Sequence, residues 1–306
     1  MSKTAIQIKG LKKSYNNTPA LKGVDIEISK GEFFGLLGPN GAGKTTTINI
    51  LTGLVFKDAG TCLVFEKDIV KDYRYTRSKI GIAAQELSVD WFFTIEKLLY
   101  FQAGYYGIST QKAKSKVDEL LERLGLDKKR DSRLRQLSGG MKRRFQIAKA
   151  LVHDPDILIL DEPTAGVDIE LRVQLWEYVR KLNENGTTII LTTHYLEEAE
   201  ELCDKVAILD KGKIVKSASK QDLLEDAESK TISVKVKETP DLNHPILLEL
   251  GANINDKNEL TVNFNPKIIN SREVLSKIEE AGVMPFDFDV TGASLETVFL
   301  SITQKK

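Results

Sequence analysis

Cysteine occurs only twice in 306 residues, histidine three times, methionine three times and tryptophan twice. Cys62 and Cys203 have no metal-ligand spacing and sit in apolar contexts, so they read as reduced core thiols, and no disulfide framework is expected. An excess of charge of either sign is also missing. With 44 Lys+Arg against 44 Asp+Glu, no global basic field is available to hold nucleic acid or an anionic bilayer, and no nucleic-acid partner is expected. No run approaches the roughly 18 apolar residues that cross a bilayer. The longest, such as Ile157-Leu158-Ile159-Leu160, suit buried strands. Met1-Ser2-Lys3-Thr4 leads directly into an alternating pattern without the apolar stretch of a secretory signal, which makes the cytoplasm the expected compartment. Internal repeats, low-complexity tracts and Pro-rich linkers are absent as well. What is present is 41% hydrophobic and 29% charged residues, a folded composition at a length that favours two domains.

Residues 4–36 alternate polar and apolar, with turn residues at Asn16-Asn17 and Lys30-Gly31, and predict a small β layer feeding one buried strand that ends at Gly38. A helix is expected to open after it, from Thr45. From about 90 to 150 the spacing of Val117, Leu120, Leu121 and Leu124 predicts a mostly helical insert. An amphipathic helix is expected over residues 139–152, with Met141, Phe145, Ala148 and Val152 on one face. Asp154-Pro155 stops it before the strand 157–160. Another helix through Leu171, Leu175, Val179 and Leu182 precedes the strand 187–191, so helices alternate with buried strands as in a largely parallel sheet. After about residue 218 the pattern shifts to an α+β appendage of strands at 231–236, 253–264 and 286–290 with helices at 244–250, 271–281 and 295–302. The expected division is 1–218, with a helical subdomain over about 86–152, and 219–306.

Gly38-Pro39-Asn40-Gly41-Ala42-Gly43-Lys44-Thr45 fits G-x-x-x-x-G-K-[ST] between a hydrophobic strand and a helix, the context that makes this motif a phosphate site. The glycines let successive N–H groups turn inward, and the new helix adds its positive end. Lys44 would reach the β- and γ-phosphates of a nucleoside triphosphate and Thr45 would place its hydroxyl on Mg²⁺. Ile157-Leu158-Ile159-Leu160-Asp161-Glu162 ends an apolar strand in two carboxylates, at the edge where ligands collect in parallel sheets. Asp161 would hold the Mg²⁺ shell, and Glu162 would face the γ-phosphate and polarise water. Solvated acids at a strand end are the plain alternative. His194 follows another buried strand, where an imidazole can donate to a γ-phosphate oxygen, although a lone His is usually structural or exposed. Glu197, Glu198, Glu200 and Glu201 fit the start of the next helix and are assigned no chemistry.

Leu137-Ser138-Gly139-Gly140-Met141 just ahead of Asp161-Glu162, with Tyr15, Gln85, Thr164-Ala165-Gly166-Val167-Asp168 and His194 in order, resembles the nucleotide-binding subunit of an ATP-binding cassette (ABC) transporter over about residues 5–215. The stretches from Leu137 to Arg144 and from Asp161 to Asp168 are similar to bacterial ABC-2 type export ATPases, especially the YadG-like group, as is the closing Leu295-Glu296-Thr297-Val298-Phe299-Leu300. The resemblance implies a RecA-like P-loop NTPase fold of the α/β class, with a small β layer and helical insert, plus a small C-terminal α+β domain. It implies ATP bound by Tyr15, Gly38, Pro39, Asn40, Gly41, Ala42, Gly43, Lys44, Thr45 and Thr46, with Mg²⁺ held by Thr45, Gln85 and Asp161. Tyr15 would stack on adenine, or else be a half-buried strand residue. Gln85 would join Glu162 and His194 in the catalytic set. Ser138, Gly139 and Gly140, on their own a plain helix cap, would complete the ATP site of the opposite subunit in a homodimer, with Asp168 at the interface. Ala84 where many relatives have Pro, Met141 for Gln and Ala165-Gly166-Val167 for Ser-Ala-Leu depart from the common pattern without removing a phosphate, metal or water ligand.

An ATPase chain without membrane spans needs a separate integral membrane permease, which would place this one at the cytoplasmic face as a peripheral subunit. Trp91, Phe92, Phe93, Leu98, Leu99, Tyr100, Phe101, Tyr105 and Tyr106 would either form a groove for a permease helix or fill the core of the insert. The appendage could serve as a ligand sensor or as structural support. The alternative function is a soluble cassette ATPase acting on ribosomes or DNA, which usually brings tandem cassettes, long coiled coils or zinc motifs that this chain lacks.

Overall fold

Two 12-residue strands, β1 (Thr4–Tyr15) and β2 (Thr18–Ser29), alternate buried and exposed side chains because only one of their faces is covered. They are followed by β3 (Phe33–Leu37), α1 (Lys44–Leu51), β4 (Ala59–Val64), β5 (Lys67–Asp68), α2 (Tyr73–Ser78) and β6 (Ile80–Ala83). Next come α3 (Ile95–Tyr105), α4 (Thr110–Arg123), α5 (Gly139–Leu151), β7 (Ile157–Asp161), α6 (Ile169–Glu184), β8 (Thr188–Thr193), α7 (Leu196–Leu202), β9 (Lys205–Asp210) and β10 (Lys213–Ser219). The structure, a computed structural model, describes residues 3–84, 91–164, 167, 169–226, 230–236, 240–255, 258–292 and 294–303. The chain divides into two units, Met1–Ala218 and Ser219–Lys306.

In the first unit, β2-β1-β4-β5 form an antiparallel sheet and β10-β9-β3-β8-β7-β6 a second, in which β9, β3, β8, β7 and β6 run parallel. Every residue of β3, β7 and β8 is buried, the mark of parallel strands covered on both faces. Ile6, Val24 and Val64 of the antiparallel sheet share one core with Phe34, Ile159 and Ile190 of the parallel sheet and Ile48 and Leu51 of α1. The helical insert is α3, α4 and α5, with α3 packed on both of the others. α3 starts at Thr94, whose hydroxyl accepts from the Lys97 N–H at 3.4 Å.

The second unit contains α8 (Lys220–Asp226), β11 (Lys230–Lys235), α9 (Pro245–Glu249), β12 (Asn253–Ile254), β13 (Glu259–Phe264), α10 (Ser271–Glu280), β14 (Asp287–Thr291) and α11 (Leu295–Thr303). Its antiparallel sheet has the order β12-β13-β11-β14. Ile232, Val234, Leu260 and Val262 of the sheet pack with Leu247 of α9 and with Val274 and Ile278 of α10 in a separate core. A reciprocal cap between Asn270 and Glu273 opens α10. The α/β fold with its β layer and helical insert, followed by an α+β unit, is the expected fold class.

Candidate active site

The ends of three neighbouring strands set the site. β3, β8 and β7 lie side by side, and their C-terminal edges lead into Gly38, His194 and Glu162. Leu37 is in register with Thr193 and Asp161 with Thr192, so residues far apart in the chain meet along one edge of a parallel sheet. Ligands collect at such an edge because the strands deliver loops and helix N-termini there together.

Between β3 and α1 the chain turns tightly enough to demand glycine. A Cβ on Gly38 would lie 2.2 Å from the Leu209 carbonyl oxygen, and one on Gly43 2.7 Å from Leu21 Cδ2. Gly43, at φ 112°, caps α1 in a conformation L side chains rarely adopt. Lys44 Nζ donates to the Gly38 carbonyl at 2.6 Å and the Pro39 carbonyl at 3.1 Å, and the residue is only 6% exposed. Burial lowers the pKa of this ammonium, while Glu162 and Asp161 push it upward. The Ala42 N–H donates to the Pro39 carbonyl, and the Ala42 carbonyl accepts from Gly212 N–H. Asn40, Gly41, Gly43, Lys44, Thr45 and Thr46 line a cleft of about 580 Å³ together with Ala20, Glu162 and His194.

Asp161 closes β7 as a buried carboxylate, and the Thr192 hydroxyl of β8 donates to its Oδ1. Glu162 N–H still donates to the Thr192 carbonyl at 2.8 Å, but the backbone of Glu162 turns left-handed at φ 50°. The chain leaves the strand there, and the Glu162 carboxylate stands 3.2 Å from His194 Nδ1 on the lining of the cleft. A carboxylate oriented by an imidazole, opposite a Lys-bearing phosphate loop, has the parts needed to orient water against a phosphoryl group. A carboxylate and a hydroxyl also suit a hard divalent cation. Among the described residues no three His, Cys, Asp or Glu cluster as a metal site.

The remaining expected residues fall elsewhere. Tyr15 ends β1 at the hairpin, is 45% exposed, carries Lys13 Nζ 5.3 Å from its ring centre, and does not line the cleft. Ser138 caps α5 by accepting from the Met141 N–H at 3.3 Å, and Gly139 and Gly140 form the first turn. None of the three lines this cleft. Gln85 and Asp168 lie outside the described residues. The aromatic stretch divides: Leu98 and Leu99 are core, Tyr106 stacks on His153 at 3.6 Å, and Trp91, Phe92, Phe101 and Tyr105 are exposed.

Several partners of the site carry no sequence signal. Thr192 looks like any strand threonine, and nothing in its neighbourhood marks Asp161 as its acceptor. Glu198 is not a solvated acid at a helix start: it is fully buried, accepts from the Thr164 hydroxyl, and has its pKa raised by burial. Arg143 is buried on α5 against the backbone around Glu162.

The family model for the ABC transporter matches residues 21–165. The linearmycin resistance ATP-binding protein of Bacillus subtilis (strain 168) is 36% identical over 97% of this chain and 98% of its own length. The Nod factor export ATP-binding protein I of Rhizobium sp. (strain N33) is 43% identical over 74% of each chain. Among solved structures, an ATP-binding subunit of an ABC transporter superposes with a TM-score of 0.68 at 27% identity, covering 72% of this chain and 92% of that one. An ATP-binding cassette captured as a dimer with ADP and Pi gives a TM-score of 0.65 at 26% identity, over 70% and 98%. These export and resistance relatives favour a transporter cassette over an ATPase of ribosomes or DNA. The chain belongs to the ABC transporter family, as one of its export-type ATPase cassettes.

Proposed function

We propose that this ATPase subunit binds Mg·ATP in the cleft around Lys44, hydrolyses it with Glu162, and works as a head-to-tail homodimer on the cytoplasmic face of a membrane beside a separate permease. The observation that carries the proposal is the meeting of the phosphate loop, Asp161, Glu162 and His194 at the ends of β3, β7 and β8. Membership of the YadG-like group in particular rests on the motif wording alone.

Within this proposal the loop N–H groups of residues 40–45 and Lys44 hold the β- and γ-phosphates, and Tyr15 stacks on the base. Asp161, Thr45 and Gln85 would hold Mg²⁺, which would supply positive charge to offset that of the phosphates. Glu162 accepts the hydrogen bond of the attacking water, while His194, whose Nδ1 faces the Glu162 carboxylate, donates toward the γ-phosphate. Ser138, Gly139 and Gly140 offer the capped start of α5 to the nucleotide held by the other subunit, and Asp168 would couple the two sites. Contacts made only in the presence of the γ-phosphate then close the dimer, and their loss on hydrolysis reopens it. Among the described residues no helix is long and apolar enough to cross a membrane, and the exposed rings of Trp91, Phe92, Phe101 and Tyr105 offer a surface to a permease.

Glu162→Gln keeps the shape of the side chain and removes its basicity. Its turnover is expected to fall by about 100-fold or more while ATP binding persists. Turnover at the parent rate would overturn the role given to Glu162.

A further inference from the structure

Arg143 lies on the second turn of α5, five residues beyond the cap Ser138, and is 7% exposed. An arginine has five N–H donors, and here each has an acceptor. Nε donates to the Pro163 carbonyl at 2.7 Å, Nη1 to the Ala84 carbonyl at 2.9 Å and to Gln146 Oε1 at 2.7 Å, and Nη2 to the carbonyls of Asp161 and Glu162. Three consecutive peptide groups, those of Asp161, Glu162 and Pro163, therefore converge on one guanidinium. Burying such a charge costs several kcal/mol unless its donors are satisfied. The nearby carboxylates of Asp161, Glu198 and Glu162 favour its charge, but among the described residues Arg143 is in no ion pair, and its donors go to backbone and amide oxygens instead.

The acceptors bracket Glu162, the left-handed residue on the cleft that is not a glycine. Glu162 has φ 50°, a conformation that costs a non-glycine residue about 1–3 kcal/mol and persists only where its surroundings enforce it. The Asp161 carbonyl precedes that φ rotation and the Glu162 carbonyl follows the adjoining ψ rotation, so a donor holding both oxygens fixes the turn between them. It is this turn that takes Glu162 out of the line of β7 and sets its carboxylate beside His194.

We infer that Arg143 is a positioning residue for hydrolysis: it locks the backbone of Glu162 in the turn that aims the carboxylate into the cleft, and ties that turn to α5. The inference rests on the proposed role of Glu162. A displacement of α5, whose capped end carries Ser138, Gly139 and Gly140, is then passed to Glu162 through hydrogen bonds within the same chain.

The test compares Arg143→Lys and Arg143→Gln with the parent full-length chain, measuring kcat, KM for ATP and the Kd of a nonhydrolysable ATP analogue. A lysine keeps the charge but cannot span the three carbonyls, so it serves even if the glutamine variant does not fold. The expected result is a kcat lower by about tenfold or more in Arg143→Lys with the analogue Kd within about twofold of the parent, since a small misplacement of a reacting group is costly. In a Glu162→Gln background the same lysine change is expected to leave the residual single-turnover rate within about twofold, because the carboxylate it positions is already gone. An unchanged kcat in Arg143→Lys, a matching loss of analogue affinity, or an equal loss in both backgrounds would overturn the inference. A fully active Glu162→Gln would instead remove the role of Glu162 and the inference with it, so the two failures are told apart.

Discussion

Lys44 carries its charge in a place where little water reaches it, an environment that would strengthen its attraction for the phosphate we propose it binds. The loop carbonyls of Gly38 and Pro39 hold the ammonium, and burial lowers its pKa against the pull of Glu162 and Asp161. A hydrogen bond to a charged group contributes about 1.5–3 kcal/mol, so Lys44→Ala is expected to weaken equilibrium binding of an ATP analogue by about tenfold to 100-fold. The melting temperature is expected to stay near that of the parent, because removing a partly desolvated charge offsets the lost hydrogen bonds. Undiminished affinity in this variant would contradict the placement of phosphate at this loop. At this scale the residues that could be read in advance are those that end an apolar run: Gly38, Asp161, Glu162 and His194 each follow a strand that the sequence marks clearly. Arg143 and Thr192 could not be read that way, because the backbone carbonyls that accept from Arg143 lie 18–59 positions away and the carboxylate that accepts from Thr192 lies 31 away, and no residue type advertises a backbone acceptor.

Among the elements, the buried strands β3, β7 and β8 were legible because burial on both faces makes them continuous apolar runs. The four-residue β6 was not, and neither was the six-residue α2, since both are too short to display a period. Reading α5 as a helix with one apolar face was too narrow. Arg143, Phe145, Gln146, Ile147, Ala148, Ala150 and Leu151 are all buried, so the helix is enclosed on most sides and has room for an inward cation. Its far end packs against β6 through Gly81, where a Cβ would come 2.1 Å from the Ala150 carbonyl oxygen and 2.9 Å from Pro155 Cγ. Backbone cannot yield there as a side-chain tip can. Gly81→Ala is expected to destabilise the protein by about 1–3 kcal/mol, visible as a lower denaturation midpoint with an unchanged slope. A midpoint equal to the parent's would show that β6 and α5 are less closely fitted than the geometry indicates.

For the whole molecule, each of the two units has its own apolar core, one built around Phe34, Ile159 and Ile190 and the other around Ile232, Leu260 and Ile278. Near residue 218 the sequence pattern changes, as uniformly apolar strands give way to alternating ones. We propose these units as separate domains, and a chain ending at Ala218 is therefore expected to melt cooperatively and to bind an ATP analogue within about threefold of the full-length affinity. Loss of cooperative melting in the shortened chain would make the second unit part of the folding unit of the first. The central claim, that nucleotide is gripped between two copies of this 34.2 kDa chain, is tested most directly by sedimentation of Glu162→Gln with and without Mg·ATP. The account predicts a species of twice the chain mass that forms only with Mg·ATP and is lost when Ser138 is also replaced by Arg. A single-chain species under both conditions, in a variant shown to bind ATP, would contradict it.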